Sequence, residues 1–309
     1  MSVARAEISD IQHLLRRRRK SASPVELEGR YQILQPLSRG AHGVILLAYD
    51  KQMQQPRIIK VLAPKVWPAP NKLPNWQERF KREAIAMAMP HHHPNLVTVY
   101  DCFDLPDSNL PGGRLVGIVM EYLSPEAGWH NVREWLEQSP DGFPPATAKT
   151  VMQGFLAALM VLRHQYGIVP RDNKPDNIML APTGVKLLDL GISNQVCNHQ
   201  PGMIMGTPLY LSPERVYCEC AAADAEPSDV FSSAAILFEM LTGQILFDGY
   251  DVDEIMDNII QSNHTLHDRL QSHLLPSSTI ALLTKALAPR VADRFQTLAE
   301  FGQAIELAL

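Results

Sequence analysis

The sequence predicts an α+β molecule of two lobes: a small antiparallel β-sheet lobe with one main helix, and a larger α-helical lobe. Three observations predict it. Short apolar or alternating runs separated by turn residues occupy the chain from Tyr31 to Leu123. A single helical stretch interrupts them, and apolar residues at helical spacing dominate everything beyond Leu123. The predicted divisions are a flexible basic extension over 1–29, a strand-rich lobe over 30–121 and a helical lobe over 122–309. Ligands favour the cleft between two such lobes.

In the extension, "LLRRRRKSASPVELEG" carries five consecutive positive charges, ordinarily a solvated run. Its sharper reading is a tail that docks on an anionic or protein partner, with "ISDIQHLL" as a short amphipathic helix. From Tyr31, "YQILQPL", "GVILLAYD" and "PRIIKVLAP" read as an antiparallel meander. In "WQERFKREAIAMAM", Phe80, Ala84 and Met87 recur at i, i+4 and i+7 and mark one buried helical face. "LVTVYDCF" and "RLVGIVMEYL" are two more strands, joined by the turn-forming "DLPDSNLPGG".

The helical lobe opens with "TAKTVMQGFLAALMVLRHQYG". Met152, Phe155, Leu156, Leu159 and Leu162 share a face there, and Gly167 is the C-terminal stop. "DVFSSAAILFEMLTG" is apolar nearly all round, the pattern of a helix at the centre of a lobe. "STIALLTKALA" and "TLAEFGQAIELAL" are the last helices.

Bulk properties exclude several classes. A hydrophobic content of 46% over 309 residues suits a folded chain with a substantial core. A net charge of −5 gives no global field for nucleic acid or anionic membrane, so no nucleic-acid partner is expected. Cys102, Cys197, Cys218 and Cys220 are too scattered for a disulfide framework, and Cys218-Glu-Cys220 lacks the second pair of a zinc site. His91-His92-His93 reads as a helix terminus. No apolar stretch approaches a membrane span and no signal-type region follows the N-terminus, which together predict a cytoplasmic protein.

Four separated elements carry the chemistry. In "LSRGAHGVI", Gly40 and Gly43 remove the Cβ atoms that would stop backbone N–H groups closing over phosphate oxygens. Lys60 in "RIIKVL" is a lone cation in an apolar strand, with Glu83 in the next helix as its natural partner. In "GIVPRDNKPDNIML", Asp172 can accept or orient a hydroxyl proton, Lys174 can offset charge on a moving phosphoryl group, and the Asn177 amide oxygen is a hard ligand suited to Mg²⁺. Asp189 in "VKLLDLGIS" is a carboxylate ending an apolar strand. Each has a plainer explanation alone, as hairpin, tie between helix and sheet, or turn cap. Their shared order, a Gly-bearing hairpin, strand lysine, helix glutamate, D-x-x-x-x-N and D-x-G, is the one that phosphoryl transfer requires.

Over residues 30 to 309 the chain resembles the eukaryotic-type protein kinase family, with a flavour similar to its bacterial serine/threonine members. The resemblance makes 30–121 the N-lobe and 122–309 the C-lobe. It implies ATP and Mg²⁺, with Asp172 as catalytic base, Lys174 as the phosphate-contacting lysine, Lys60 paired to Glu83, and Asn177 with Asp189 as metal ligands. Ser38, Gly40, Gly43, Ile45, Ile58, Lys60, Glu121, Leu123 and Met179 would contact the nucleotide, with Met120 as gatekeeper and Glu121 to Leu123 as hinge. "GTPLYLSPE" looks like the end of an activation loop, and Arg294 matches the family arginine that pairs with Glu214 in the interior. Lys174 together with Thr207 fits the serine/threonine pattern, so protein substrates with Ser or Thr acceptors are expected.

The departures from the pattern are Ser38 for the first glycine, Ile58 for the small residue above the adenine ring, Leu190 for phenylalanine, Ala234 for glycine and Pro170 for histidine. They motivate an alternative, a non-catalytic nucleotide-binding scaffold on the same fold. Between Asp189 and Pro213 the hydroxyl residues are Ser193, Thr207, Tyr210 and Ser212, which predicts switching that does not depend on a typical loop phosphorylation.

Overall fold

The computed structural model describes residues 26–39, 43–62, 77–78, 81, 85, 88, 93–107, 110, 113–170, 172–188, 208–217 and 226–309, the side chains of 262–265 excepted. It has the two-lobed fold of a curled antiparallel sheet unit and a helical unit. Two compact units divide the chain: Met1–His91 with Val97–Leu123, and His92–Leu96 with Ser124–Leu309.

The first unit is a six-stranded antiparallel sheet in the order β1-β2-β3-β4-β6-β5. Its strands are β1 (Glu26–Leu27), β2 (Tyr31–Arg39), β3 (Gly43–Asp50), β4 (Gln55–Leu62), β5 (Val99–Pro106) and β6 (Arg114–Glu121). Strict period-2 alternation separates two faces. Val44, Leu46, Ala48, Ile59, Val61 and Val119 form the buried side with Leu27, Tyr31 and Phe103. Ile45, Leu47, Ile58 and Lys60 are half-buried on the other side. Helical residues 77, 78, 81, 85 and 88 belong to this unit, and Lys81 is tied to Asp104 of β5 at 2.6 Å. Phe80, Ala84 and Met87 lie outside the described residues.

The extension assigned to 1–29 is too long at its C-terminal end. Glu26 and Leu27 form β1, paired with Gln32 and Tyr31, and Leu27 enters the core. Glu28 and Gly29, both at positive φ, make the tight reversal, closed by Arg30 N donating to Leu27 O. Two residues of strand after a charge run leave no periodicity to detect. Arg30 then locks the sheet's end. It donates to both oxygens of buried Asp50 at 3.0 and 2.7 Å and lies 3.3 Å from Asp101, which also accepts from Tyr31 Oη at 2.9 Å.

A second correction concerns residues 93–96, assigned by sequence to the strand lobe. They are bonded into the second unit: Leu187 N donates to Asn95 O and Asn95 Nδ2 to Val185 O, each at 2.9 Å, and Leu96 bridges Leu187 in parallel. His93, read as part of a helix terminus, is non-helical and accepts from Asn95 N, while His91 and His92 lie outside the described residues.

In the second unit a small sheet, β7 (His130–Asn131), β8 (Ile178–Ala181) and β9 (Gly184–Leu187), accompanies helices α1 (Val132–Glu137), α2 (Pro145–Tyr166), α3 (Pro213–Val216), α4 (Glu226–Thr242), α5 (Val252–Ile260), α6 (Ser262–Gln271), α7 (Ser277–Ala286) and α8 (Leu298–Ala308). Helix α2 ends where expected, at left-handed Gly167, whose N–H returns to Arg163 O while Ile168 N reaches Leu162 O. By length and composition α2 is apolar enough to cross a membrane, which the sequence reading did not anticipate. Its apolar stripe from Ala148 to Leu162 is buried inside the unit, the position of a core helix. Gly154 permits the close approach of α2 to β9, because a Cβ there would meet Val185 at 2.7 Å and Asn95 at 2.9 Å. Helix α4 is buried almost throughout, as its all-round apolarity predicts.

Candidate active site

In the first unit, antiparallel pairing fixes which side chains share a row. Ser38 faces Ile45, Ile45 faces Lys60, and Lys60 faces Ile118. Two residues along, Leu47 faces Ile58 and Ile58 faces Met120. Cross-strand partners project from the same face, so Ser38, Ile45, Ile58, Lys60 and Met120 lie on one surface, opposite the buried core. That surface is an apolar platform carrying one ammonium. Gly43 opens β3 opposite Leu62, and Gly40 lies outside the described residues. Glu121 ends β6 with its carboxylate accepting Thr98 N at 3.2 Å, and Leu123 is buried just beyond. Glu83 lies outside the described residues.

In the second unit Lys174, in extended backbone, leads into a 3-10 turn at Pro175–Asn177. Buried Asn173 reaches Asp229 of α4 at 3.5 Å, while Asp172 and Lys174 remain partly exposed. Lys174 Nζ donates to Asp172 Oδ2 at 2.6 Å. Asn177 Nδ2 donates to Asp172 O at 2.8 Å and to Asp172 Oδ2 at 3.2 Å, and Asn177 O accepts Leu188 N at 2.9 Å. A carboxylate, an ammonium and an amide are thus locked within one turn. With its NH₂ turned to Asp172, the Asn177 amide has in its oxygen the hard ligand type that Mg²⁺ takes. Met179 follows on β8 opposite Asn131 and Lys186. Asp189 lies outside the described residues, as do Arg171, Ser193 and Thr207.

Pro170 is buried and contributes no donor to this turn. What holds the loop from below is Asp229, fully enclosed, which accepts from Arg215 at 2.6 Å and from Arg163 besides Asn173. Sequence reading missed this cluster; a charged residue inside each of two apolar helices was the available signal. It anticipated the neighbouring pair, in which Arg294 donates to both oxygens of Glu214 at 2.8 and 2.9 Å. Burial would raise the Glu214 pKa, but the Arg294 guanidinium and the Ser228 hydroxyl outweigh it and hold the carboxyl below its ordinary value.

A third cluster, also unforeseen, joins α1, the Pro208–Tyr210 turn and α4. Tyr210 Oη donates to Glu239 Oε2 at 2.6 Å and accepts from Arg133 Nη2 at 2.5 Å, while Arg133 Nη1 donates to Glu239 Oε1.

Residues 31–303 match the family described as protein kinase domain. The chain is 31% identical over 286 residues to serine/threonine-protein kinase PknB of Mycobacterium tuberculosis, covering 90% of this chain and 42% of that protein. To PknB of Mycolicibacterium smegmatis it is 31% identical over 284 residues, 90% of this chain and 43% of that one. To PksC of Streptomyces coelicolor it is 32% identical over 273 residues, 86% and 47% respectively. The chain therefore spans less than half the length of these curated relatives. With that family match covering residues 31–303, the chain belongs to the protein kinase family.

Proposed function

We propose that this chain transfers the γ-phosphoryl group of ATP to Ser or Thr hydroxyls of protein substrates, as a Mg²⁺-dependent serine/threonine protein kinase. The observation that carries the reading is the Asp172–Lys174–Asn177 turn, in which Lys174 and Asn177 both bond the Asp172 carboxylate. The serine/threonine kinase names of its relatives support the acceptor class. A cytoplasmic setting, where ATP is abundant and Cys102 stays a free thiol, belongs to the same proposal.

In this reading Asp172 orients the acceptor hydroxyl and takes its proton as the oxygen attacks the γ-phosphorus. The bond from that phosphorus to the β,γ-bridging oxygen breaks, and ADP leaves. Lys174 balances charge on the phosphoryl oxygens in flight. Lys60 holds the α- and β-phosphates, with Glu83 as its partner. Asn177 and Asp189 would hold Mg²⁺, which supplies charge neutralisation on the phosphates. Ile45, Ile58, Leu123 and Met179 would line the adenine, and Ser38, Gly40, Gly43 and Glu121 contribute backbone contacts.

The test is incubation of the purified protein with Mg²⁺, γ-labelled ATP and dephosphorylated casein, beside Asp189→Asn. Label on Ser or Thr that disappears with EDTA and with the variant is expected. No transfer above the variant, with nucleotide still raising Tm, would replace this reading by the scaffold alternative that buried Pro170 motivates.

A further inference from the structure

In the segment matched to the kinase motif V-A-I-K, Arg57 stands where the motif has valine. Strand alternation places it on the core face of β4 with Ile59 and Val61, and it is only 5% exposed. Burying a guanidinium there is costly. Its charge is met by neutral groups: Nη1 donates to Gln55 Oε1 and to Pro56 O, each at 3.1 Å, and the guanidinium carbon lies 4.1 Å from the centre of the Tyr100 ring. Arg57 Nε is buried and meets no acceptor among the described residues. Core packing alone would be served better by an apolar side chain.

Tyr100 reaches the guanidinium because β5 bulges. Val99 faces Met120 and Asp101 faces Val119, so two steps along β5 match one along β6, and Tyr100 is the extra residue that the bulge re-aims. The sheet order there is β4-β6-β5, so a side chain of β4 that stacks on a ring of β5 passes across β6. It crosses the last residues of that strand, where Glu121 is the cross-strand partner of Arg57. Thr98 holds Glu121 from the β5 side: Glu121 N donates to Thr98 O at 2.9 Å, and Glu121 Oε2 accepts from Thr98 N at 3.2 Å. On the opposite face of the same strand ends lie Ile58 and Met120, part of the apolar platform.

We propose that Arg57 and Tyr100 form a strap across the end of β6 that fixes the backbone from Glu121 onward for reading a purine, which makes both of them positioning residues for nucleotide choice. This rests on the kinase reading above, in which that backbone borders the adenine. Adenine presents an N–H donor at the exocyclic position where guanine presents a carbonyl acceptor. Backbone groups held in register bond one of these patterns and leave a buried polar group unpaired against the other. A strand end free to shift pairs with the wrong base at lower cost, so slack shows first as lost discrimination. The strap includes none of the groups assigned to the chemical step.

The experiment is steady-state kinetics of the full chain on dephosphorylated casein, with ATP and with GTP, for Arg57→Met, Tyr100→Leu, the two combined, and Tyr100→Phe. Loss of one cation–π contact predicts that the ratio of kcat/KM for ATP to that for GTP falls about three- to tenfold in Arg57→Met and in Tyr100→Leu, with KM for casein within about twofold. The combined variant should fall no further than either alone, because both changes remove the same contact. Tyr100→Phe keeps the ring face and recovers most of the loss seen in Tyr100→Leu. Should Arg57→Met fail to fold, the half-exposed Tyr100 position decides the matter. An unsubstituted protein that does not prefer ATP, or folded variants that slow both nucleotides alike and keep the ratio, would overturn the inference. Absence of transfer by the unsubstituted protein would instead remove the kinase reading, and the inference with it.

Discussion

Arg294 and Glu214, 80 residues apart, meet in two parallel hydrogen bonds of 2.8 and 2.9 Å, and neither side chain is more than 3% exposed. The arginine's remaining donors are spent on the carbonyls of Ala288, Pro227 and Pro289, so one guanidinium ties α3, the start of α4 and the loop after α7. Removing one partner strands a buried charge. Arg294→Ala is expected to cost about 3–5 kcal/mol, and Arg294→Met, which fills the volume, is no rescue while Glu214 remains. Denaturant unfolding followed by circular dichroism measures this; a loss under about 1 kcal/mol would show that the pair carries little of the unit's stability.

Acid should find the same pair. Glu214 titrates below its ordinary value because of Arg294, and Asp50 titrates below its own because of its hydrogen bonds to Arg30. A carboxyl depressed in the folded state contributes stability that is complete above the unfolded pKa and lost as pH falls through the folded one. Tm is therefore expected to hold near neutrality and to fall progressively below about pH 4. The Glu214→Gln variant should start lower and show a shallower acid decline. An identical decline in the variant would remove Glu214 from the account.

Gly154 offers a purely steric test. A Cβ at this position would press on Val185 and on the Asn95 amide that bonds Val185 O. Gly154→Ala should destabilise by about 1–3 kcal/mol through overpacking, despite the better helix propensity of alanine. Faster amide exchange at Leu187, whose N–H is held by Asn95 O, should accompany it.

Pro170 stands where the family resemblance implies a histidine, and the turn after it is held by Asp229 through Asn173. Restoring the family side chain is therefore expected to change kcat by less than about tenfold. Turnover rising in Pro170→His from nothing measurable would mean that the loop is not active as it stands.

How much of this was legible depends on how local each signal is. Strict alternation in "GVILLAYD" and "RIIKVL" fixes both faces of the sheet, and hence that Lys60 shares a surface with Ile45 and Ile58. The all-round apolarity of α4 announces a central helix, and Gly167 announces the end of α2. The Asp172 turn was readable because its three groups fall within six residues. Glu214 with Arg294 was readable only through family resemblance, since nothing in either segment names the other. The clusters at Asp229 and Glu239 draw on segments 14 to 106 residues apart, several of them in helices whose periodicity speaks only of their apolar sides. β1 is two residues long, and the docking of residues 93–96 on β9 is made largely by backbone groups that any sequence possesses.

The central claim is that Asp172 acts on the acceptor hydroxyl within a turn kept in shape by Lys174 and Asn177. Its most direct test is kcat for Asp172→Asn, measured with ATP, Mg²⁺ and casein, alongside ATP affinity by calorimetry. The substitution keeps size and a hydrogen-bonding oxygen but removes the proton acceptor. The account predicts kcat reduced about 10²–10⁴-fold with ATP affinity within about twofold of the unsubstituted protein. Full turnover in Asp172→Asn would contradict it.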